Sequence, residues 1–323
     1  MSEGWLVVET LDGAARASVV ADGARRKDWS SPLRARPGTM VGAAIQAVVG
    51  RCCVSRTAVH RTVPARRGAA ELTIIGRPVV GAHGVVHAVQ VWTGPTGVPV
   101  PAPRHVAGWA WDCDRSFAIL GPNVEEWFHG TAADPTRRIQ MATENFHHIE
   151  RIDDIDGYLA VLAGAATRWQ GMVTVVGEDG DRREAHTAVR RIEGPEPLVR
   201  GLFHDVTDVT PADPMPMPAA ARLLAGQLDR GSGWVFVPNG VVYDWITPPL
   251  PPLDGWQQHL PEFRDRAPYD LAIAQIGAGA EHTACTVSLR FPDGDWIDTD
   301  TDIFGLAHGR IRHGLIQVRQ RTP

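Results

Sequence analysis

The side chains best suited to chemistry in this 323-residue chain are its histidines, its cysteines and one run of aspartates. His147 and His148 could offer a neutral imidazole to haem iron or to another metal. Neighbouring helix positions point about 100° apart, so at most one of the two could enter a pocket. His83 and His87 lie in a segment that reads as extended. A strand sets such a pair on one face but about 13 Å apart, too far to grip one metal ion. His186, His204 and Asp205 are the one polar group that could host an enzymatic site. Strand alternation puts His204 and Asp205 on opposite faces, which weakens that reading. Cys113 stands between Asp112 and Asp114, and acidic neighbours raise a thiol pKa and dull its reactivity. Cys52 and Cys53 sit in an apolar run and read as core. With Cys285, the four cysteines are too scattered for a disulfide framework, and none forms a C-x-x-C pair that would hold structural zinc.

The run Asp293, Asp295, Asp298, Asp300, Asp302 invites a calcium reading. An EF-hand loop begun at Asp298 would place Ile303 where glycine is required and Gly309 where glutamate is required. On a strand, Asp298, Asp300 and Asp302 instead line one solvated face, with Ile297 and Ile303 on the other. Phosphate-binding loops, kinase signatures, nucleophile elbows and H-E-x-x-H are all missing from the sequence. The expectation is a protein without enzymatic activity.

The elements that must position these residues come in three similar sets. Proline-rich stretches at Pro95–Pro103 and Pro211–Pro218 favour extended, semi-rigid backbone and read as linkers. They divide the chain into modules at 1–105, 106–210 and 217–323. Each module opens on Gly-Trp and an apolar run: Gly4-Trp5, Gly108-Trp109 and Gly233-Trp234. Each closes on strand-like alternation, and Asp179-Gly180 and Asp293-Gly294 mark hairpin turns before the last strands of the second and third modules. The pattern predicts an opening strand and a closing three-stranded antiparallel meander, with helical material between. Ile155, Leu159, Leu162, Ala163 and Ala166 share one helix face behind an Asp153-Asp154 start, and the spacing predicts a helix ending near Trp169 with a strand from Met172. Val41–Val49 reads as either helix or strand, and the region from Pro248 to Pro268 reads as mostly irregular. Pro248–Pro252 either shapes a loop near Trp245 and Trp256 or offers a polyproline ligand to a partner.

Composition bounds the class. The chain is 44% hydrophobic with eleven Trp, which excludes a disordered chain. No apolar stretch is long enough to span a bilayer, and the N-terminus lacks a secretory signal, so a cytoplasmic protein is expected. The net charge of −5 conceals an asymmetry: residues 1–105 carry +7, 106–210 carry −8 and 211–323 carry −4. The basic residues are 31 Arg and one Lys, dispersed rather than clustered with aromatics, so nucleic-acid binding is not expected. The asymmetry predicts that the first module packs against the second.

Gly108-Trp109-Ala110-Trp111-Asp112, the Ile152–Asp156 helix start, Gly171 before a strand, and the ending Gly201-Leu202-Phe203-His204-Asp205-Val206-Thr207 resemble a PAS sensor domain. The third module resembles a more divergent PAS domain, and Arg77–Trp92 resembles a GAF or PAS hairpin. As a whole the chain resembles the mycobacterial triple sensor-domain proteins. The resemblance implies an α+β fold of three tandem PAS/GAF-like modules, each a central antiparallel β-sheet flanked by short helices. It implies a signalling protein that binds a small ligand or protein partner and passes the result to a separate effector. The competing reading is an interaction scaffold with filled cores. Trp127, Phe128, Phe146, Tyr158 and Trp169 give the second module an aromatic interior, and with Trp111 and His147 they form the candidate ligand-binding set. The ligand itself stays unknown. Flavin-linked PAS photosensors carry their reactive Cys in an Asn-Cys-Arg-Phe type motif that Cys113 does not match, and no motif supports haem.

Overall fold

A computed structural model describes residues 4–64, 71–122, 124–129, 138–194, 196–211, 230–306 and 313–321. It contains three antiparallel sheets and few helices, a mostly-β architecture. The first sheet has the order β3-β2-β1-β6-β5-β4, with β1 Leu6–Glu9, β2 Ser18–Asp22, β3 Arg25–Ser30, β4 Val59–Pro64, β5 Glu71–Val80 and β6 Val86–Pro95. The second has the order β10-β11-β12-β13-β7-β8-β9. Its strands are β7 Val106–Asp112, β8 Phe117–Leu120, β9 Ile139–Met141, β10 Ile149–Ile152, β11 Arg168–Val176, β12 Arg182–Ile192 and β13 Leu198–Asp205. The third has the order β15-β14-β19-β18-β17-β16, with β14 Gly231–Phe236, β15 Val241–Thr247, β16 Glu262–Phe263, β17 His282–Arg290, β18 Ile297–Gly305 and β19 His313–Gln320. In all three the opening strand lies beside the closing one, and the last three strands form a meander, as the repeated Gly-Trp starts and Asp-Gly turns predict.

Val41–Val49 resolves as part of a 17-residue helix, α1 (Thr39–Ser55). Val41, Ala44, Ile45, Val48, Val49 and Cys52 make one apolar stripe that packs on Leu6, Val8, Ile74, Val89 and Val91. Helices α2 (Glu125–His129), α3 (Ala142–His147) and α4 (Ile155–Leu162) cover one face of the second sheet. Asp154 caps α4, accepting from the Gly157 amide. The helix is shorter than the apolar spacing predicts. Gly164 takes φ +79°, the Gly164 amide donates to the Val161 carbonyl and the Ala165 amide to the Ala160 carbonyl. That glycine-closed pairing ends the helix at Leu162 and lets β11 begin at Arg168, four residues before the expected Met172. From Pro248 to Arg266 the elements are a short 3-10 turn and the two-residue β16, and α5 (Ala267–Ala278) begins just inside the stretch expected to be irregular, with Tyr269, Ala272, Ile273 and Ile276 turned inward.

β18 bears out the aspartate reading: Ile297, Thr299, Thr301 and Ile303 are buried, and Asp298, Asp300 and Asp302 face outward. His83 and His87 do not share one extended segment. His83 lies in a turn at φ +56°, and His87 is fully buried on β6. Of the proposed linkers, β6 runs into Pro95, and residues 96–105 cross over with Trp5 Nε1 donating to the Pro101 carbonyl. The second linker, beyond its first residue Pro211, lies outside the described residues. Among the described residues, no helix is long and apolar enough to cross a membrane.

The first two sheets stack through their helix-free faces. Val7, Leu11, Ala21 and Ala88 meet Val106, Ala188 and Leu202 in an apolar seam. Backbones approach closely here: a Cβ on Gly108 would stand 3.0 Å from the Gly81 Cα and from His87. The contact expected from the charge asymmetry exists, but its buried ion pair has the opposite polarity. The carboxylate of Glu9, fully buried in the basic first module, receives Arg190 of the acidic second module at 2.8 Å. Apolar burial joins the modules, while Arg25, Arg26, Arg51, Arg56 and Arg61 stay in solvent.

Candidate functional site

The second sheet's curved face carries the aromatic set proposed from sequence. Trp111 (β7), Trp127 and Phe128 (α2), Phe146 (α3), Tyr158 (α4) and Trp169 (β11) are all buried in one cluster. They pack on each other. Ring centroids are 6.0 Å apart for Trp111 and Phe146, 6.2 Å for Phe146 and Tyr158, and 5.4 Å for Tyr158 and Trp169, all near edge-to-face. Phe203 completes the packing 5.8 Å from both Trp127 and Trp109. Trp169 Nε1 donates to the α4 cap residue Asp154. Burial alone pushes the Tyr158 hydroxyl well above its ordinary pKa.

His147 does not belong to this interior. It is exposed, and its neighbour His148 turns inward to stack on Phe128 at 4.7 Å. Cys113 is half-buried. Burial pushes its thiol up, while Arg191, 3.3 Å from its sulfur, pulls the other way. Among the described residues, no group of three or more His, Cys, Asp or Glu is placed to hold a metal ion.

The mouth of this interior is closed by the third module. Phe236 and Tyr243 join the aromatic cluster, with Tyr243 and Phe146 centroids 5.0 Å apart. Asn239 Nδ2 donates to Ser116 Oγ at 2.9 Å, and Thr143 Oγ1 donates to the Gln257 carbonyl at 2.7 Å. The hollow left between Trp111, Phe146, Leu159, Phe236 and Tyr243 measures about 20 Å³.

Beside this plug, the same two modules form an open groove of about 440 Å³. One wall is the whole of β10 with Ile155 and Asp156; the other is Trp234, Tyr243, Asp244, Leu306 and His313. A hydrogen-bonded chain crosses between them. His313 Nε2 lies 3.1 Å from Asp156 Oδ1, and His313 Nδ1 lies 3.0 Å from the Tyr243 hydroxyl. A neutral imidazole satisfies both partners, with Nε2–H donating to Asp156 and Tyr243 donating to Nδ1. Burial lowers the His313 pKa, against the pull of Asp156, and so favours that neutral form. The groove thus combines apolar side chains with a few oriented polar ones, the usual make-up of a binding surface.

A larger hollow of about 770 Å³ lies in the first module among Pro37, Val41, Leu72, Trp92, Val98 and Pro101. Its one cation, Arg36, is committed to both Asp22 oxygens, the Gly4 carbonyl and Thr93. Among the described residues, the rest of the lining is mostly apolar, and Thr93 is engaged by Arg36.

Of the groove residues, the sequence singled out only Phe146 as a candidate binding residue; Ile152, Ile155, Asp156 and Trp234 entered as structural markers, because the two walls lie far apart in the chain. The histidines at the first seam are a second feature of the site region. His186 and His204 face each other across β12 and β13 at 6.5 Å. Asp205 does turn to the other side. The triplet forms no catalytic constellation: His186 has no hydrogen-bond partner at either ring nitrogen among the described residues, and burial lowers the pKa of His186 to about 3 and of His204 to about 4.

Residues 4–102 match the family described as Rv3651-like, N-terminal. Over 99% of its length the chain resembles the crystal structure of an uncharacterised protein from Mycobacterium tuberculosis, covering 97% of that chain with a TM-score of 0.75 at 18% identity. An RNA-binding light-oxygen-voltage receptor matches 67% of this chain and 95% of its own at 10% identity, with a TM-score of 0.26. A methyl-accepting chemotaxis protein X matches 68% of this chain and 75% of its own at 12% identity, with a TM-score of 0.22. TM-scores of that size carry no argument about this protein. No curated protein matches the chain.

Proposed function

We infer that the chain is a non-enzymatic cytoplasmic interaction protein of three PAS/GAF-like modules. Its binding surface is the groove between the second and third modules. Its middle module is a filled core rather than a ligand chamber. The carrying observation is the packing of that core. Six aromatic side chains proposed as pocket walls touch one another, and the third module's Phe236 and Tyr243 seal their rim. The remaining hollow of about 20 Å³ has room for about one water and none for a larger ligand. The shared strand order of the three sheets supports the repeat reading. Signal transfer to a separate effector then takes the form of a partner held in the groove, where it touches both modules and shifts their packing.

Two measurements test this. Native mass spectrometry of the purified protein is expected to give the mass of the bare chain, and a small molecule lost only on denaturation would overturn the filled-core reading. A photo-crosslinking residue at Ile152, in the groove, is expected to capture a protein in cells where one at the exposed Leu271 does not. Equal capture at both positions, or none at Ile152, counts against the groove.

A further inference from the structure

The side chains of β10 show how the groove is oriented. Ile149 and Ile152 pack against the aromatic cluster on one face of the second sheet. Glu150 pairs with Arg182, and Arg151 with Glu184; both partners lie on β12, on the face opposite the inward Ala185. Yet all four β10 residues line the same groove, and all four are half-buried. A hollow that touches both faces of a strand runs along its edge. Among the described residues, β10 is the last strand of its sheet and pairs only with β11. The groove therefore lies along a sheet edge, where an added strand would find main-chain partners.

The charge of the walls points to what would be added. Among the described residues that line the groove, Glu150, Asp156 and Asp244 are acidic and Arg151 is basic; Glu150 already pairs with Arg182 and Asp156 with His313. Residues 106–210 carry −8 and 211–323 carry −4. Between the carboxylates lie the apolar surfaces of Ile149, Ile152, Trp234 and Leu306. We propose that this edge takes an extended segment of a partner protein, alternating apolar with basic residues, which pairs with β10 as an additional strand. Four β10 residues span about 13 Å, so the paired part of the segment is about four residues long. Alternation suits the site because successive side chains of a strand point to opposite sides, and the groove lining offers both apolar and acidic side chains. The inference rests on the groove being the binding surface and adds the chemistry and backbone geometry of its occupant.

The probe is a fluorescent hexapeptide alternating Arg and Val, compared with its Glu and Val counterpart and with Arg/Val peptides N-methylated at every second residue in either phase. The full-length protein is expected to bind the plain Arg/Val peptide at least tenfold more tightly than the acidic peptide and than at least one N-methylated form. Amide exchange at residues 149–152 is expected to slow at least tenfold in the complex. Asp244→Arg should weaken binding about tenfold, and Asp298→Arg on the solvated face of β18 should not. Equal binding of the plain peptide and both N-methylated forms, or unchanged exchange at 149–152, overturns strand addition. If the Ile152 crosslinker still captures a protein in that case, the groove reading stands and only the strand-pairing inference falls.

Discussion

Three histidines buried at the seam between the first two modules make its stability depend on pH. The His87 Nδ1–H donates to the Gly201 carbonyl across the seam, while its Nε2 and both nitrogens of His186 are without a hydrogen-bond partner among the described residues. Burial is the leading cause of their lowered pKa values, which fall to about 4 for His87, about 3 for His186 and about 4 for His204. Positive neighbours add to it: Arg200 beside His87, Arg26 beside His186 and Arg104 beside His204, where Asp205 and Asp208 partly compensate. In the unfolded chain a histidine takes its proton near the ordinary value of about 6.5. Between that value and the folded one, the unfolded state binds more protons. The stabilisation is complete above about pH 6.5 and is lost as pH falls toward 4. Each histidine contributes a slope of about 1.4 kcal/mol per pH unit in that window. At pH 5 this costs about 2 kcal/mol per histidine, about 6 kcal/mol for three, comparable to the whole stability of many domains. Urea unfolding from pH 7.5 to 4.5, followed by tryptophan fluorescence, measures it. Trp29, stacked under Arg190 at 4.5 Å, sits in the seam and should report its opening. His186→Leu should remove about 1.4 kcal/mol per pH unit from the slope between pH 6 and 4.5. A stability curve flat from pH 7 to 5, or a slope unchanged in His186→Leu, would show that these histidines are not buried neutral at the seam.

Other perturbations probe separate parts of the structure. Arg190→Met leaves the buried Glu9 carboxylate with only Ser18 and the Leu11 amide; a loss of about 3–5 kcal/mol is expected in denaturant unfolding, with most of it recovered in the Glu9→Gln double variant. Gly108→Val would drive atoms into the Gly81 backbone and is expected to cost about 1–3 kcal/mol, read as a lowered Tm. Phe146→Ala opens the aromatic cluster at its junction with Tyr243 and should cost about 3–5 kcal/mol, whereas the exposed His147→Ala should change stability by less than about 0.5 kcal/mol in the same assay.

Local signals carried much of the fold. The Gly-Trp starts and the turns at Gly180 and Gly294 mark strands because their constraints are local: a hairpin needs its turn chemistry wherever the strands lie. The close of α4 was equally legible in Gly164, but the apolar spacing through Ala166 masked it; Ala163 and Ala166 are partly buried because the loop returns them to the core, not because the helix continues. Helix α5 carries Pro268 at its start and Gly279 after its end, two signals that the preceding prolines obscured. The aromatic set was legible as a buried interior, and sequence alone does not separate pocket walls from a packed core because both use the same residues. His147 and His148 illustrate the limit: one enters the core, and only the turn after α3 decides which. The groove was not legible at all. Asp156 and His313 meet across 157 positions, and no local pattern encodes which outer strand the third module faces.

A partner held by this protein is expected in the groove and not in the middle module's interior. Fluorine NMR of protein labelled with 5-fluorotryptophan, titrated with the protein captured through Ile152, tests this most directly. The expected result is a shift of the Trp234 resonance at the groove wall, with Trp109, Trp111 and Trp127 in the filled core unmoved. Shifts of the core tryptophans with Trp234 unchanged would contradict it.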